Sequence, residues 1–434
     1  MSGCLRSKRR KNDFTEGKRC FVKIQIDRGK ELFSVVLAGD ICPGGISGKA
    51  ETKDYAGVLA GVRDFIQSAD LRLVQWETVT TATPNPIVKD GPNLNSEKDS
   101  IEILTSAGFN IAMLANNHIG DHGPDAVLES IEDLHKRGLK TVGAGKDLAS
   151  ARTPLIENVA GKTVAIFNFA ENEFGGAKTN RPGSAPQDPL RDIAEVAAAS
   201  QKYDFVIVTL HGGHEKNPFP SPRVAQYCRA FADAGASLVF NCHTHCPEGF
   251  ENWHGTPIVY SPGNFYFPKD GRYEGLWRYG YLIRCGFSEN GATELELLPY
   301  FFDNEKVTPL DPEATECFER YMERISAPIQ DPVRLQQLFE SWSTQYGKHR
   351  FGTLTTALPP GNTWLDTFSH DPTIRRLAMR VRNLLTCEAH CDMIKCLLRL
   401  VEEERLEQAA EGLAEIKELQ QGFDPQAGKR HLQA

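Results

Sequence analysis

Short apolar runs alternate with amphipathic stretches along most of this chain. FSVVLAG at 33–39 reads as a buried strand closed by Gly-Asp, and YAGVLAGVRDFIQSAD at 55–70 carries apolar residues at helical spacing. LRLVQWE at 71–77 is a second strand, IEILTSAGF at 101–109 a helix, and NIAMLANNH at 110–118 a strand with a polar end. A helix follows in PDAVLESIEDLHKRG, then strands in KTVGAG and in KTVAIFNFA at 162–170, and a helix in LRDIAEVAAASQKY. The series ends with the strand DFVIVTL at 204–210, the helix PRVAQYCRAFADAG and the strand ASLVFN at 236–241. Short apolar strands separated by helices predict an α/β fold, layered and covered by helices.

The pattern changes near residue 310. From there to 434 charge alternates along helical spacings, interrupted by the Gly- and Pro-containing stretch GTLTTALPPGNTW. The expected organisation is a flexible basic segment over 1–30, an α/β domain over 31–310 and a helical extension over 311–434. In the last segment Leu406, Leu413, Ile416 and Leu419 predict a helix that packs its apolar face on the body.

Composition narrows the partners. A formal charge of -8 over 434 residues, with 40% hydrophobic and 24% charged residues, gives no bulk attraction for nucleic acid or anionic lipid. No stretch reaches the ~18 uninterrupted apolar residues of a spanning helix, and the basic N-terminus has no apolar run behind it. Eleven scattered cysteines, an odd number, suit reduced thiols. These features predict a cytoplasmic protein acting on a small molecule or peptide, without an integral membrane segment.

The chemistry gathers at strand ends. The apolar runs lead to Asp40, Glu77, Asn116-Asn117-His118, His211, and then His243 and His245. Ligands of open α/β sheets bind beyond the carboxyl ends of the strands, so side chains distant in sequence converge there. Carboxylates, an amide oxygen and imidazoles suit Mn, Zn or Fe. Taken singly, a Gly-Asp after a strand reads as a turn and Asn-Asn-His as a helix cap. On an extended segment, His243 and His245 would fall on one side. Cys42, Cys242 and Cys246 read as packed apolar groups, His254 as a bystander, and Cys387, Cys391 and Cys396 as helix cysteines without a zinc site.

In order along the chain, LAGDICPGG, QWE, LANNHIGDHG, VGAGKDLASA, RPGSAP, HGGHE, GASLVFNCHTH and IVYSPGNFYF resemble the CapA (poly-γ-glutamate capsule synthesis protein) family over about 33–270. That family looks like a branch of the calcineurin-like metallophosphatase fold. The resemblance implies one or two divalent ions held by Asp40, Glu77, Asn117, His211, His243 and His245, with Glu77 bridging. It implies His118 as general acid or electrostatic stabiliser, and His214, Glu215, Arg181 and Asn116 as catalytic or substrate-side groups. Two departures stand out. Phosphoesterases of this fold carry Asp-x-His on the first strand where this chain has Asp40-Ile41-Cys42, and the usual Asn-Leu-Glu is Gln75-Trp76-Glu77.

Three reactions fit such a centre: hydrolysis of a phosphoester, hydrolysis of a γ-glutamyl or peptide amide, and epimerisation of a peptide residue. A fourth reading is a non-catalytic capsule-assembly partner with a degraded metal site. The resemblance also implies a peripheral partner role in a capsule or peptide biosynthetic system.

Overall fold

The computed structural model describes residues 22–45, 52–268, 275–357 and 371–423. Two large sheets pack face to face. The first runs Val22–Gln25, Gly291–Phe302, Tyr279–Ser288, Phe33–Ile41, Leu71–Trp76, Ile111–Met113, Lys140–Val142. Its last four strands are parallel, and Tyr279–Ser288 adds antiparallel to Phe33–Ile41. The second runs Phe250–Trp253, Thr256–Val259, Leu238–Cys242, Phe205–His211, Lys162–Ala170, Leu155–Val159, parallel at its centre and antiparallel at both edges.

Every residue of Phe33–Ile41 is buried, because both faces of this central strand are covered. Phe33, Val35 and Leu37 face the second sheet, while Val36 and Ala38 join the core that also holds Ile103, Leu104 and Leu134 from the outer helices. The sheets meet through rings: Phe33 lies 5.0 Å edge-on from Phe205, and 4.9 Å from Phe287 in a stack. Helices Pro189–Ser200 and Pro222–Asp233 pack around the second sheet, and each begins with proline after a capping side chain, Asp188 or Ser221. This is the layered α/β architecture, sheets flanked by helices, that the sequence predicts.

Details differ. The helix expected over 55–70 is a 3₁₀ turn at Ala60–Val62 followed by Arg63–Gln67, in a stretch interrupted by Gly57 and Gly61. The basic segment expected to be flexible over 1–30 includes an edge strand, Val22–Gln25, whose Val22 and Ile24 pack on the core. Residues 1–21 lie outside the described residues. All described helices after residue 311 follow the last strand, Val307–Pro309, and Ile416 and Leu419 of the final helix are buried as expected.

One glycine positions the site. The ladder between Phe33–Ile41 and Leu71–Trp76 shifts register between Ala38 and Asp40, a bulge centred on Gly39. A Cβ on Gly39 would stand 2.2 Å from the Gly263 carbonyl oxygen. The absent side chain lets the strand Asn264–Tyr266 pair beside Asp40. Gly39→Ala is expected to cost about 1–3 kcal/mol by overpacking, read as a lower midpoint in thermal or urea unfolding; an unchanged midpoint would remove this packing argument.

Candidate metal centre

The strand ends converge. Asp40 is the penultimate residue of its strand, Glu77 directly follows Trp76, His211 ends Phe205–His211, and His243 follows Leu238–Cys242. Asp40, Glu77, His211, His243 and His245 are all buried. His211 Nε2 lies 3.6 Å from Glu77 Oε1 and His245 Nε2 3.8 Å from the same oxygen. His211 Nδ1 lies 3.5 Å and His245 Nδ1 3.8 Å from the Asp40 carboxylate. Asn117 Oδ1 and His243 Nδ1 each stand 3.1 Å from His211 Nε2.

Of three sets of donor atoms close enough to surround an ion, two are made of oxygen and imidazole donors alone: Asp40, Glu77 and His245, and Glu77, His211 and His243. They share Glu77. Asp40 Oδ1 is buried without a hydrogen bond, although its other oxygen accepts from the His243 backbone N–H at 2.9 Å. A buried carboxylate oxygen left this way is costly unless a cation or proton faces it. Burial raises the Asp40 carboxyl, but His211 above all, then His245 and His243, hold it below its usual range, so it stands ionised. Oxygen and imidazole donors at these separations fit a divalent ion of the Mn, Zn or Fe class.

The two histidines of the HxH do not converge by strand alternation. Extended pairing stops at Cys242, and His243 and His245 take left-handed backbone angles, φ 100° and 55°. The His243 N–H is committed to Asp40 rather than to a neighbouring strand, which bends the chain there. Such angles cost a non-glycine residue about 1–3 kcal/mol each, and they collect at functional sites. His245 is held further by Asn264 Oδ1, 2.8 Å from its Nδ1, and by Trp277, whose ring centroid is 4.6 Å away.

The segment expected to be a strand over 110–118 pairs only at Ile111–Met113, as its neighbour Lys140–Val142 is equally short. Beyond it Asn116 folds the chain. Its Oδ1 accepts from the backbone N–H of His118 at 3.0 Å and of Ile119 at 2.8 Å, and its Nδ2 donates to the Trp76 carbonyl at 2.8 Å. Asn116, expected on the substrate side, is thus spent on shaping the loop that presents Asn117 and His118. His118 Nε2 points toward Glu77 Oε1 at 3.9 Å, and its Nδ1 is 2.6 Å from Asp121 Oδ2. Lys89 donates to Asp121 and its Nζ stands 3.2 Å from the same His118 Nδ1. Burial, with Lys89, pushes the His118 imidazole below its usual range, whereas His118 and Lys89 outweigh burial to keep Asp121 ionised. Two groups compete for Nδ1, and the ionised Asp121, at 2.6 Å against 3.2 Å for the donor Lys89, favours the proton on Nδ1, which leaves Nε2 turned to the centre.

The remaining expected residues belong to none of these donor groups. His214 is buried against the ring of Phe339, 5.1 Å between centroids, in helix Pro332–Trp342 of the C-terminal part. Burial first, then Arg223, pushes it well below its usual value. Glu215 is exposed beside it yet close to the donors: desolvation raises its carboxyl, but His245, then His243, outweigh this and lower it to about 2. Arg181 is exposed in the turn Lys178–Arg181. Cys242 comes closer than its reading as a packed apolar group suggested: Sγ lies 3.5 Å from His211 Nδ1, and Asp40, His211 and Cys242 form a third donor group. Its thiol nevertheless donates to the Leu210 carbonyl at 3.3 Å, and burial, then Asp40 and Glu77, drive it well above the usual thiol range. Cys42 occupies the place of the missing first-strand histidine. It is fully buried, and burial, reinforced by Glu77, pushes it up to about 12.

Sequence reasoning missed Asp121, Lys89, Glu173 and Asn264. Asp121 and Asn264 sit in the motifs GDHG and PGNF, which were visible. Glu173, in ENEFGG, accepts from Asn117 Nδ2 at 3.2 Å and stands 3.7 Å from His243 Nε2.

Residues 34–269 match the family model described as bacterial capsule synthesis protein PGA_cap. Among curated proteins, the chain is 30% identical over 287 residues to the PGA biosynthesis protein CapA of Bacillus subtilis (strain 168), covering 64% of this chain and 73% of that one. It is 28% identical over 216 residues to the capsule biosynthesis protein CapA of Bacillus anthracis, covering 48% and 51%. Solved structures similar to it include a hypothetical protein (TM-score 0.40, 14% identity, 62% of this chain and 99% of that one) and a 5'-nucleotidase precursor (0.35, 12%, 67% and 58%), both from Thermus thermophilus. The family model spans more than half of the sequence and ends just beyond the strand that carries Asn264, so all six expected ligands fall within it: the chain belongs to the bacterial capsule synthesis protein family PGA_cap, the CapA family.

Proposed function

We propose that the chain is a metal-dependent hydrolase of capsule or poly-γ-glutamate metabolism, acting on a phosphoester or on a γ-glutamyl or peptide amide. The observation that carries this reading is the pair of buried donor groups sharing Glu77, Asp40–Glu77–His245 and Glu77–His211–His243. A divalent ion in either position would lower the pKa of a coordinated water to about 7 and polarise a phosphoryl or carbonyl oxygen. Asn117 adds an amide oxygen to the second group, while the Asp121-backed His118 is placed to hand a proton to a leaving group or stabilise developing charge. With the proton on Nδ1, His118 first accepts through Nε2 and then donates. The rim offers Glu215 and Arg181 for substrate. Nine described cysteines stand as free thiols, which supports a reducing, cytoplasmic setting. No described helix is long and apolar enough to cross a membrane.

A turnover screen tests the reading. Protein loaded with Mn²⁺ or Zn²⁺ is offered phosphomonoesters, phosphodiesters and γ-glutamyl peptides, with racemisation followed by chiral analysis. Metal-dependent release of phosphate or amine is expected and vanishes with EDTA. Racemisation without bond cleavage would replace hydrolysis by epimerisation, and full-occupancy metal with no turnover of any kind would favour a binding role.

A further inference from the structure

The C-terminal extension lies outside the 34–269 match, yet its helix Pro372–Thr386 returns to the edge of the centre. Asn383 Nδ2 donates to Glu173 Oε2 at 3.4 Å, Arg382 donates to the Glu173 carbonyl, and Thr386 Oγ1 donates to the Asn172 carbonyl at 3.1 Å. Glu173 is the same residue that touches Asn117 and His243, so one side chain joins the extension to the donor cluster.

Between this helix and the turn Lys178–Arg181 lies a cavity of about 650 Å³, within the usual range for ligand sites. Lys178, Arg181, Arg375 and Arg382 line it, with Glu171 and Glu173. The carboxylates are engaged: Glu171 accepts from Arg223 and from the Ala389 N–H at 3.2 Å, and Glu173 from Asn117 and Asn383. Lys178, Arg181 and Arg375 are exposed and form no ion pair among the described residues. Arg382 lies over the Phe174 ring, 4.9 Å to the centroid, which fixes its direction. Arg375 and Arg382, two turns apart on one helix face, are about 10 Å apart along the axis. That spread exceeds one phosphate or carboxylate group.

We infer that this cavity binds an extended oligoanion, with negative groups spread over about 10 Å, along helix Pro372–Thr386, its end beside Glu173 at the metal centre; the extension is therefore part of the substrate site. This rests on the hydrolase reading only for the fate of the bound chain. Carboxylate and phosphate chains share the required chemistry. Fluorescein-labelled oligo-γ-glutamate and labelled polyphosphate of about ten units are titrated by anisotropy into full-length protein, with inorganic phosphate as competitor and metal content measured on the same samples. At least one chain should bind far more tightly than inorganic phosphate, and which one binds identifies the anion. Arg375→Glu and Arg181→Glu should each weaken binding at least tenfold at unchanged metal content and thermal midpoint, and Arg375→Gln should fall between. Binding by neither chain, or equal binding by wild type and variants, would overturn the inference. Charge-sensitive binding by a protein without metal or turnover would leave it standing and remove the hydrolase reading instead.

Discussion

Glu77→Ala is expected to strip the centre of metal. Glu77 is common to both donor groups, so its loss removes a ligand from each position at once, whereas a histidine variant such as His243→Ala affects only one. Losing an outer-shell partner already lowers metal affinity about 10–100-fold, and a shared ligand should cost more than that. Elemental analysis after gel filtration should show metal per chain reduced at least about tenfold, with the fold retained by circular dichroism. His243→Ala should leave an ion on Asp40, Glu77 and His245. Equal metal in wild type and Glu77→Ala would place the ion elsewhere.

The second large effect concerns His118. General acid or base groups contribute about 10²–10⁴ to rate, so His118→Ala should lower kcat by that order while metal content holds, because the ring stands 3.9 Å from Glu77 and belongs to neither donor group. Asp121→Asn should lower kcat as well, by less. Asp121 acts through His118: its carboxylate sets the tautomer, and an amide would present a donor where an acceptor is needed. A positioning role predicts that the alkaline and acid limbs of the kcat profile shift in Asp121→Asn, whereas a merely structural role would scale the whole profile. If His118→Ala keeps full activity with its natural substrate, protonation is supplied by another group and the assignment fails.

How much of this was legible beforehand depends on the kind of constraint. Apolar runs such as FSVVLAG and DFVIVTL announce buried strands because both faces are covered, and their ends point at the site. The antiparallel strands Tyr279–Ser288 and Gly291–Phe302 went unread: the first is buried on both faces with mixed composition, and in the second only Glu294-Leu295-Glu296-Leu297 alternates before a continuous buried run. The donors Asp40, Glu77, His211, His243 and His245 could be proposed from strand ends alone. Their route together could not: it depends on the left-handed turns at His243 and His245 and on the Gly39 bulge, which are set by contacts with Asp40 and Gly263. Asp121 was hidden for a different reason. Next to a histidine and glycines it reads as a turn residue, and only the folded loop brings it to His118 at 2.6 Å. His214 shows the converse, a motif histidine whose neighbour, Phe339, comes from a segment the motif does not include.

The position of the ion itself decides the matter most directly. Crystals grown with Mn²⁺ or Zn²⁺, measured at the metal's absorption edge, should show anomalous density within about 2.0–2.2 Å of a Glu77 oxygen, shared with His211 and His243, with Asp40 and His245, or with both pairs. Two peaks astride Glu77 would mean that Cys42 in place of a first-strand histidine still leaves a dinuclear centre, and one peak that it leaves a single ion. Anomalous density absent from Glu77 in crystals whose metal is bound at other residues would contradict the assignment.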